Sequence, residues 1–168
     1  MHISILKIRN FRNFSNATFT FQKGVNTLLG ENASGKTNAF YAIQLMLDDS
    51  LSRKATKLLE SDFNRALSRW RGHWVIISIE FDDLDATEGC QILRHTCGHM
   101  NGENKGTYTL IFRPKIEIRR KLYELSKITS AETRQSVAEE TLKAIRIEEY
   151  EDIFTARATA DFADENCY

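Results

Sequence analysis

The sequence predicts a mixed α/β fold, and three observations carry that prediction. Alternating apolar residues near the N-terminus give a strand period. A glycine-bearing octet, Gly30-Glu31-Asn32-Ala33-Ser34-Gly35-Lys36-Thr37, stands between a short apolar run and a helical pattern. Beyond it the pattern returns to alternation, at 73–82, 107–112 and 115–122. A hairpin, a strand–loop–helix unit and an antiparallel sheet, in that order, account for these changes of period.

Ile3, Ile5 and Ile8 lie near a strand period, and Thr18 to Phe21 is aromatic and β-branched. The polar stretch Asn10 to Asn16 between them is turn-forming, so a hairpin of 2–9 with 16–22 is predicted. Lys23-Gly24 makes the next turn, and Val25-Asn26-Thr27-Leu28-Leu29 reads as a short buried strand. Ala39, Phe40, Ile43, Met46 and Leu47 recur at helical spacing, which predicts a helix over 37–47. Residues 50–70 read as a basic helix carrying Arg53, Lys54, Lys57, Arg65 and Arg69. Residues 73–82 read as a strand, and 89–106 as a glycine-rich loop or ragged hairpin. Two strands follow at 107–112 and 115–122, separated near Pro114. Thr129 with Glu132 fits a capping box opening a helix of about 18 residues that buries Ala138, Leu142 and Ile145. One domain spans 1–168.

Composition narrows the class. With 168 residues, 42% hydrophobic and 27% charged, the chain can bury a core of its own. No apolar run approaches the roughly 20 residues needed to span a bilayer, so no membrane association is expected. Three cysteines, Cys90, Cys97 and Cys167, suit a reducing cytoplasm better than a disulfide framework. Charge is uneven: residues 1–130 hold 19 Lys and Arg against 13 Asp and Glu, while 131–168 hold 4 against 10. A solvated acidic helix explains the second half. A basic body that meets a polyanion is the sharper alternative.

The octet has the form G-x-x-x-x-G-K-[ST], and each position has a mechanical reason. Glycines let the backbone curl until successive N–H groups of Asn32, Ala33, Ser34 and Gly35 face an anion. The following helix adds its positive N-terminal end. Lys36 supplies charge to the outer phosphates, and the Thr37 hydroxyl suits Mg²⁺. Gly30 through Thr37 are therefore the candidate site for a nucleoside triphosphate, with ATP and Mg²⁺ the expected cofactors.

Small nucleotide kinases place this loop after the first strand, whereas here a hairpin precedes it. The order Ile8-Arg9-Asn10-Phe11-Arg12-Asn13-Phe14, Gly24-Val25-Asn26, Leu29 to Asn38, then Ala42-Ile43 resembles the N-terminal part of an SMC/RecF-like ATPase head. That is the ABC-type branch of P-loop NTPases that includes OLD-family nucleases. The resemblance covers about a quarter of the chain. It implies a head lobe with an N-terminal hairpin and an accessory antiparallel sheet, to which Ile79 to Asp83 is weakly similar. It also implies that Arg12 and Asn13 approach the nucleotide. An arginine there could meet phosphate oxygens bidentately. Asn38 reads as a polar residue on the helix surface. Such heads pair as homodimers or with a partner head, act on DNA, and serve repair, chromosome maintenance and phage defence.

Other parts of a complete head are not evident. No LSGG-type signature, switch histidine or motif-bearing glutamine stands out, although Gln91 and Gln135 follow the accessory strand. Val75 to Asp83 imitates a Walker B strand. Its alternation of Ser78, Glu80 and Asp82 with Ile77, Ile79 and Phe81 instead fits a half-exposed antiparallel strand. The expectation is an N-terminal lobe that binds nucleotide and hardly turns it over. The alternatives are a non-catalytic interaction module and a stand-alone small kinase, the latter requiring an all-parallel sheet. Cys90, His95, Cys97 and His99 contain zinc-ligand types in an unfamiliar spacing. Six Lys and Arg from Arg53 to Arg71, with Trp70 and Trp74, could touch a nucleic-acid backbone or form a solvated face.

Overall fold

The computed structural model describes residues 1–32, 34–48, 58–85, 87, 104–128 and 131–155. Its frame is a five-stranded sheet in the order β2-β1-β3-β4-β5, with every neighbouring pair antiparallel. The strands are β1 (His2–Phe11), β2 (Phe14–Thr20), β3 (Val75–Asp82), β4 (Gly106–Pro114) and β5 (Tyr150–Thr155). Helix α1 (Lys36–Leu47) follows the glycine-rich loop, and α2 (Ile116–Ser126) and α3 (Ala131–Ala144) connect β4 to β5.

Register explains which residues are buried. Leu6 faces Ile79, and Ile79 faces Tyr108; Ile8 faces Ile77, and Ile77 faces Leu110. One face is thus apolar across the central strands, and Leu6, Ile8, Val75, Ile77, Ile79, Leu110 and Phe112 are all buried in a single cluster. Ala39, Ala42, Leu45 and Met46 of α1 belong to the same cluster. The other face is mostly polar, with Lys7 paired to Glu80 and Arg113 paired to Glu151. It also carries a small apolar cluster of Ile76 and Ile111. Ser78 lies there too, buried and hydrogen-bonded to Thr109 at 2.8 Å. β3 is therefore more enclosed than a half-exposed strand, and the exposed side of its alternation begins only at Glu80.

The hairpin, α1, β3 and β4 agree with the sequence reading, and other segments differ from it. Residues 115–122 form most of helix α2 instead of a strand. Pro114 closes β4, and Ile118, Leu122 and Leu125 then recur at i, i+4 and i+7. Ile118 is buried, and Leu122 packs against the core. Residues 25–29 are irregular and join no strand. Val25 is 98% and Leu29 89% exposed, because no second strand lies alongside. The basic helix at 50–70 is also not found over its described part. Residues 58–70 are irregular apart from a single 3₁₀ turn, Glu60–Asp62. Within α1, Phe40 and Leu47 face outward, and Ala42 and Leu45 take their place in the core. α3 has 14 residues; Ile145 just beyond it is buried, while Ala138 and Leu142 are half-buried. Thr129 of the proposed capping box lies outside the described residues, as do Arg53, Lys54 and Lys57.

Aromatic packing anchors the irregular segment. Phe63 lies within 5.4–5.8 Å of the rings of Trp70, Phe112 and Tyr150. The Tyr150 hydroxyl accepts the Gly72 amide at 2.8 Å, and burial raises its pKa well above the usual phenol value.

Candidate nucleotide-binding site

The glycine-rich loop lies against a cavity of about 730 Å³. Two chain segments build the opposite side: the β1–β2 turn at Arg12-Asn13, and residues 61–66. Both are held at the end of β1 by the backbone. Asn10 and Arg12 adopt left-handed conformations, with φ of 53° and 50°. The Arg12 amide donates to Asp62 O at 2.7 Å, the Asn64 amide to Asn10 O at 3.0 Å, and Phe11 bridges Phe63. The wall is thereby an extension of the sheet, although 61–66 is not itself a strand.

The loop enters α1 through Gly35, the residue preceding the helix, at φ 101°. A Cβ there would stand 2.0 Å from Asn13 Nδ2, so the glycine meets both a backbone and a space requirement. No side chain caps the helix, and its first turn holds no acidic residue. The amides of that turn are the groups an α-helix leaves without intrahelical partners. The first backbone bond from this turn is Ala39 N to Gly35 O, at 3.0 Å. Lys36 Nζ donates to the carbonyls of Gly30 and Glu31, at 2.5 and 2.8 Å, and so folds back over its own loop. These features fit a phosphate chain: the amides of a helix start with no side-chain cap, a positive helix end, a cation folded over the loop, and no acidic residue in the first turn. Thr37 is exposed at the cavity, where its hydroxyl fits a cation bound with the phosphates.

Asn32, Ser34, Gly35, Lys36 and Thr37 all line this cavity, as do Arg12 and Asn13. Gly30 contributes its carbonyl to Lys36, and Ala33 lies outside the described residues. Arg12 is not an open fork. Its Nε binds Asp62 Oδ1 at 2.9 Å and its Nη1 binds Asn38 Oδ1 at 3.0 Å. The guanidinium carbon lies 4.1 Å from the centre of the Tyr41 ring. Two of its five N–H groups are thus engaged by the protein itself. Asn13 donates to Ser34 O at 3.1 Å and accepts from Asn38 Nδ2 at 2.7 Å.

Asn38 is thus more than a surface polar residue: it ties the hairpin turn to α1. Sequence reasoning also passed over Asp62, Asn64 and Arg65, which line the same cavity from a distant stretch of chain. Their only sequence signal is Asp62 in a short turn, three residues after Leu59, whose amide its Oδ2 accepts.

Asp82 and Asp83 are elsewhere. Asp82 accepts from Ser4 and pairs with Lys105, and Asp83 pairs with Lys23. β3 lies between two antiparallel neighbours, so it is not the parallel strand a Walker B acid requires. Gln135 lines a separate, mainly apolar cavity with Leu122, Leu125 and Leu142. Gln91 and the Cys90, His95, Cys97 and His99 group lie outside the described residues. Among the described residues, no group of His, Cys, Asp and Glu is placed to hold a metal ion, and no helix is long and apolar enough to cross a membrane.

Comparison with known proteins decides the family. The model for the AAA ATPase domain (AAA_15) matches residues 1–165. The chain belongs to this AAA ATPase domain family. Membership implies nucleotide binding, in agreement with the loop geometry. Among curated relatives, the DNA replication and repair protein RecF of Listeria welshimeri is 44% identical over 63 residues. That stretch is 38% of this chain and 16% of the relative. RecF of Geobacillus thermodenitrificans is 46% identical over 46 residues, 27% of this chain and 12% of the relative. The matched part is thus a small fraction of those proteins' length. A solved chain from work on ATP-driven dimerisation and DNA-stimulated activation of SMC ATPases aligns at 20% identity and a TM-score of 0.47. It covers 67% of this chain and 64% of the other. The N-terminal part of the chain is thus similar to RecF, and within the AAA ATPase domain the glycine-rich loop stands beside a wholly antiparallel five-stranded sheet.

Proposed function

We propose that this chain is the nucleotide-binding lobe of an ATPase head that holds ATP with Mg²⁺ and acts with DNA in a larger protein. Turnover then needs a second head and catalytic groups from sequence beyond these residues. One observation carries the division between binding and turnover. Among the described residues lining the cavity, the only carboxylate is Asp62, and both its oxygens are engaged, by Arg12 Nε and by the Leu59 amide. Among the described lining residues the one acidic group is thus committed to holding the wall, whereas Lys36, Thr37 and the helix start offer a phosphate seat. Phosphoryl transfer needs an oriented attacking water, together with charge stabilisation on the far side of the transferred group.

The exposed segment 25–29 supports the incomplete-lobe reading. An apolar-rich run with Val25 98% and Leu29 89% exposed suits a segment that is covered in the whole protein. The RecF likeness supports the DNA-linked role, and a content of three cysteines in 168 residues suits a reducing cytoplasm. In a homodimer or a pair with another head, the two cavities would face each other across the nucleotide.

Binding and turnover are tested together. Titration with a fluorescent ATP analogue should give saturable, Mg²⁺-dependent binding that Lys36→Ala removes while leaving the circular dichroism spectrum unchanged. Phosphate release from the same chain should be negligible. Turnover of about 1 s⁻¹ or faster, the ordinary enzyme range, that disappears in Lys36→Ala would mean that a complete site is already present.

A further inference from the structure

The cavity holds two arginines in very different states. Arg12 is braced by Asp62, Asn38 and Tyr41, and is about one-third exposed. Arg65 lies on the same cavity wall, three residues beyond Asp62, and its side chain is exposed. Its backbone amide donates to Arg12 O at 3.4 Å, which fixes the Cα against the hairpin turn. Its guanidinium has no hydrogen-bond or ion-pair partner among the described residues. The two flanking positions are occupied differently. Asn64 is buried and uses its Oδ1 on the Ala66 amide at 2.8 Å, and Ala66 offers no polar group.

We propose that Arg65, rather than Arg12, is the arginine that contacts the polyphosphate of the bound nucleotide. Arg12 acts as a positioning residue that holds the wall on which Arg65 stands. The inference rests on the nucleotide-binding reading above and assigns a role within that site. Three physical features support it. A guanidinium is always charged, and its planar fork matches phosphate oxygens. Among the described residues Arg65 has no partner to give up, whereas Arg12 has two of its five N–H groups committed to Asp62 and Asn38 and its guanidinium held over Tyr41. The long side chain also starts from a backbone fixed by the Asn64 and Arg65 amide bonds, so only rotamer freedom is lost on binding.

The test is calorimetric titration of the chain with Mg²⁺-ATP and, separately, with tripolyphosphate. The proteins are wild type, Arg65→Ala, Arg65→Lys and Lys36→Ala. Arg65→Ala should weaken both ligands by about tenfold, the loss expected of one charge-assisted contact at an exposed rim. Arg65→Lys should recover part of that loss. Because Arg65 is exposed, the thermal midpoint should not move. Lys36→Ala should remove both ligands and serves as the control for the site itself. Affinities of Arg65→Ala within twofold of wild type, with Lys36→Ala inactive, would overturn the inference and leave the nucleotide site standing. Loss of ATP affinity with tripolyphosphate affinity unchanged would place Arg65 at the base or ribose and also overturn it. No binding by wild type would end both readings.

Discussion

Substituting Gly35 by alanine tests the geometry of the phosphate loop. The residue sits at φ 101°, where an L side chain is strained by roughly 1–2 kcal/mol. The new methyl would also lie 2.0 Å from Asn13 Nδ2 and 2.7 Å from its Cγ. Asn13 is the end of a flexible side chain, so it can swing away. In doing so it gives up its bond to Ser34 O and the bond it accepts from Asn38. Those are exposed bonds, worth together about 1 kcal/mol net. The expected loss is therefore about 2–3 kcal/mol, read from urea unfolding midpoints at constant slope. The second term can be isolated. In an Asn13→Ala background the clash is gone and the two bonds are already lost, so adding Gly35→Ala should cost only the backbone strain. A double-mutant cycle should therefore show coupling of about 1 kcal/mol. Strict additivity within about 0.3 kcal/mol would refute the claim that Asn13 and Gly35 share one space. Nucleotide affinity should fall in Gly35→Ala whichever term dominates, because the amides around residue 35 are re-aimed.

Two further outcomes follow from the same structure. Arg12→Ala should cost about 2 kcal/mol, because Asp62 is nearly buried and keeps only the Leu59 amide; Asp62→Asn added to it should recover part of the loss, measured by urea unfolding. His73 is held below its ordinary pKa, chiefly by burial and secondarily by the charge of Arg9. The unfolded chain therefore takes up this proton first, and stability should fall as pH drops through about 6.5. His73→Gln should show a shallower loss of unfolding midpoint between pH 7 and 5.5, and an unchanged slope would discount this residue.

Which features were legible in the sequence follows from how local their causes are. The octet at Gly30 to Thr37 could be read because its chemistry lies in consecutive residues and in the helix that starts beside it. The hairpin was equally plain, since Ile3, Ile5 and Ile8 lie near a strand period and a polar turn separates them from Thr18 to Phe21. The misreading of 115–122 turned on three alternating residues, Ile116-Glu117-Ile118, too few to decide a period. The packing of Ile118 and Leu122 settled it. Residues 58–66 escaped because their shape is imposed from afar. The bonds of Asp62 and Asn64 to the end of β1 join residues about fifty apart. Arg65 escaped for the same reason, and Asn38, although next to Thr37, reads as helix surface because its partners Arg12 and Asn13 lie 26 and 25 residues away.

Residues 25–29 misled in the opposite direction, and the reason bears on how this lobe works. Composition made them a buried strand, yet the sheet that this chain builds is wholly antiparallel and does not include them. The phosphate loop is therefore not held by a strand ladder. On one side Asn26 closes a turn on Gln22, accepting its amide at 2.9 Å and donating to its carbonyl at 2.7 Å. On the other side α1 packs into the core through Ala39, Ala42, Leu45 and Met46. Between these anchors, Asn13 bonds Ser34 and Asn38 from the turn that carries Arg12, Arg12 also bonds Asn38, and Leu28 packs on the core. Whatever moves the β1–β2 turn must then move the phosphate seat, and a ligand that orders the loop must brace the turn. Strands added along 25–29 would supply a further anchor independent of Asn13. The Asn13→Ala penalty on nucleotide affinity should accordingly be large in this chain and smaller in a longer polypeptide that covers Val25 and Leu29.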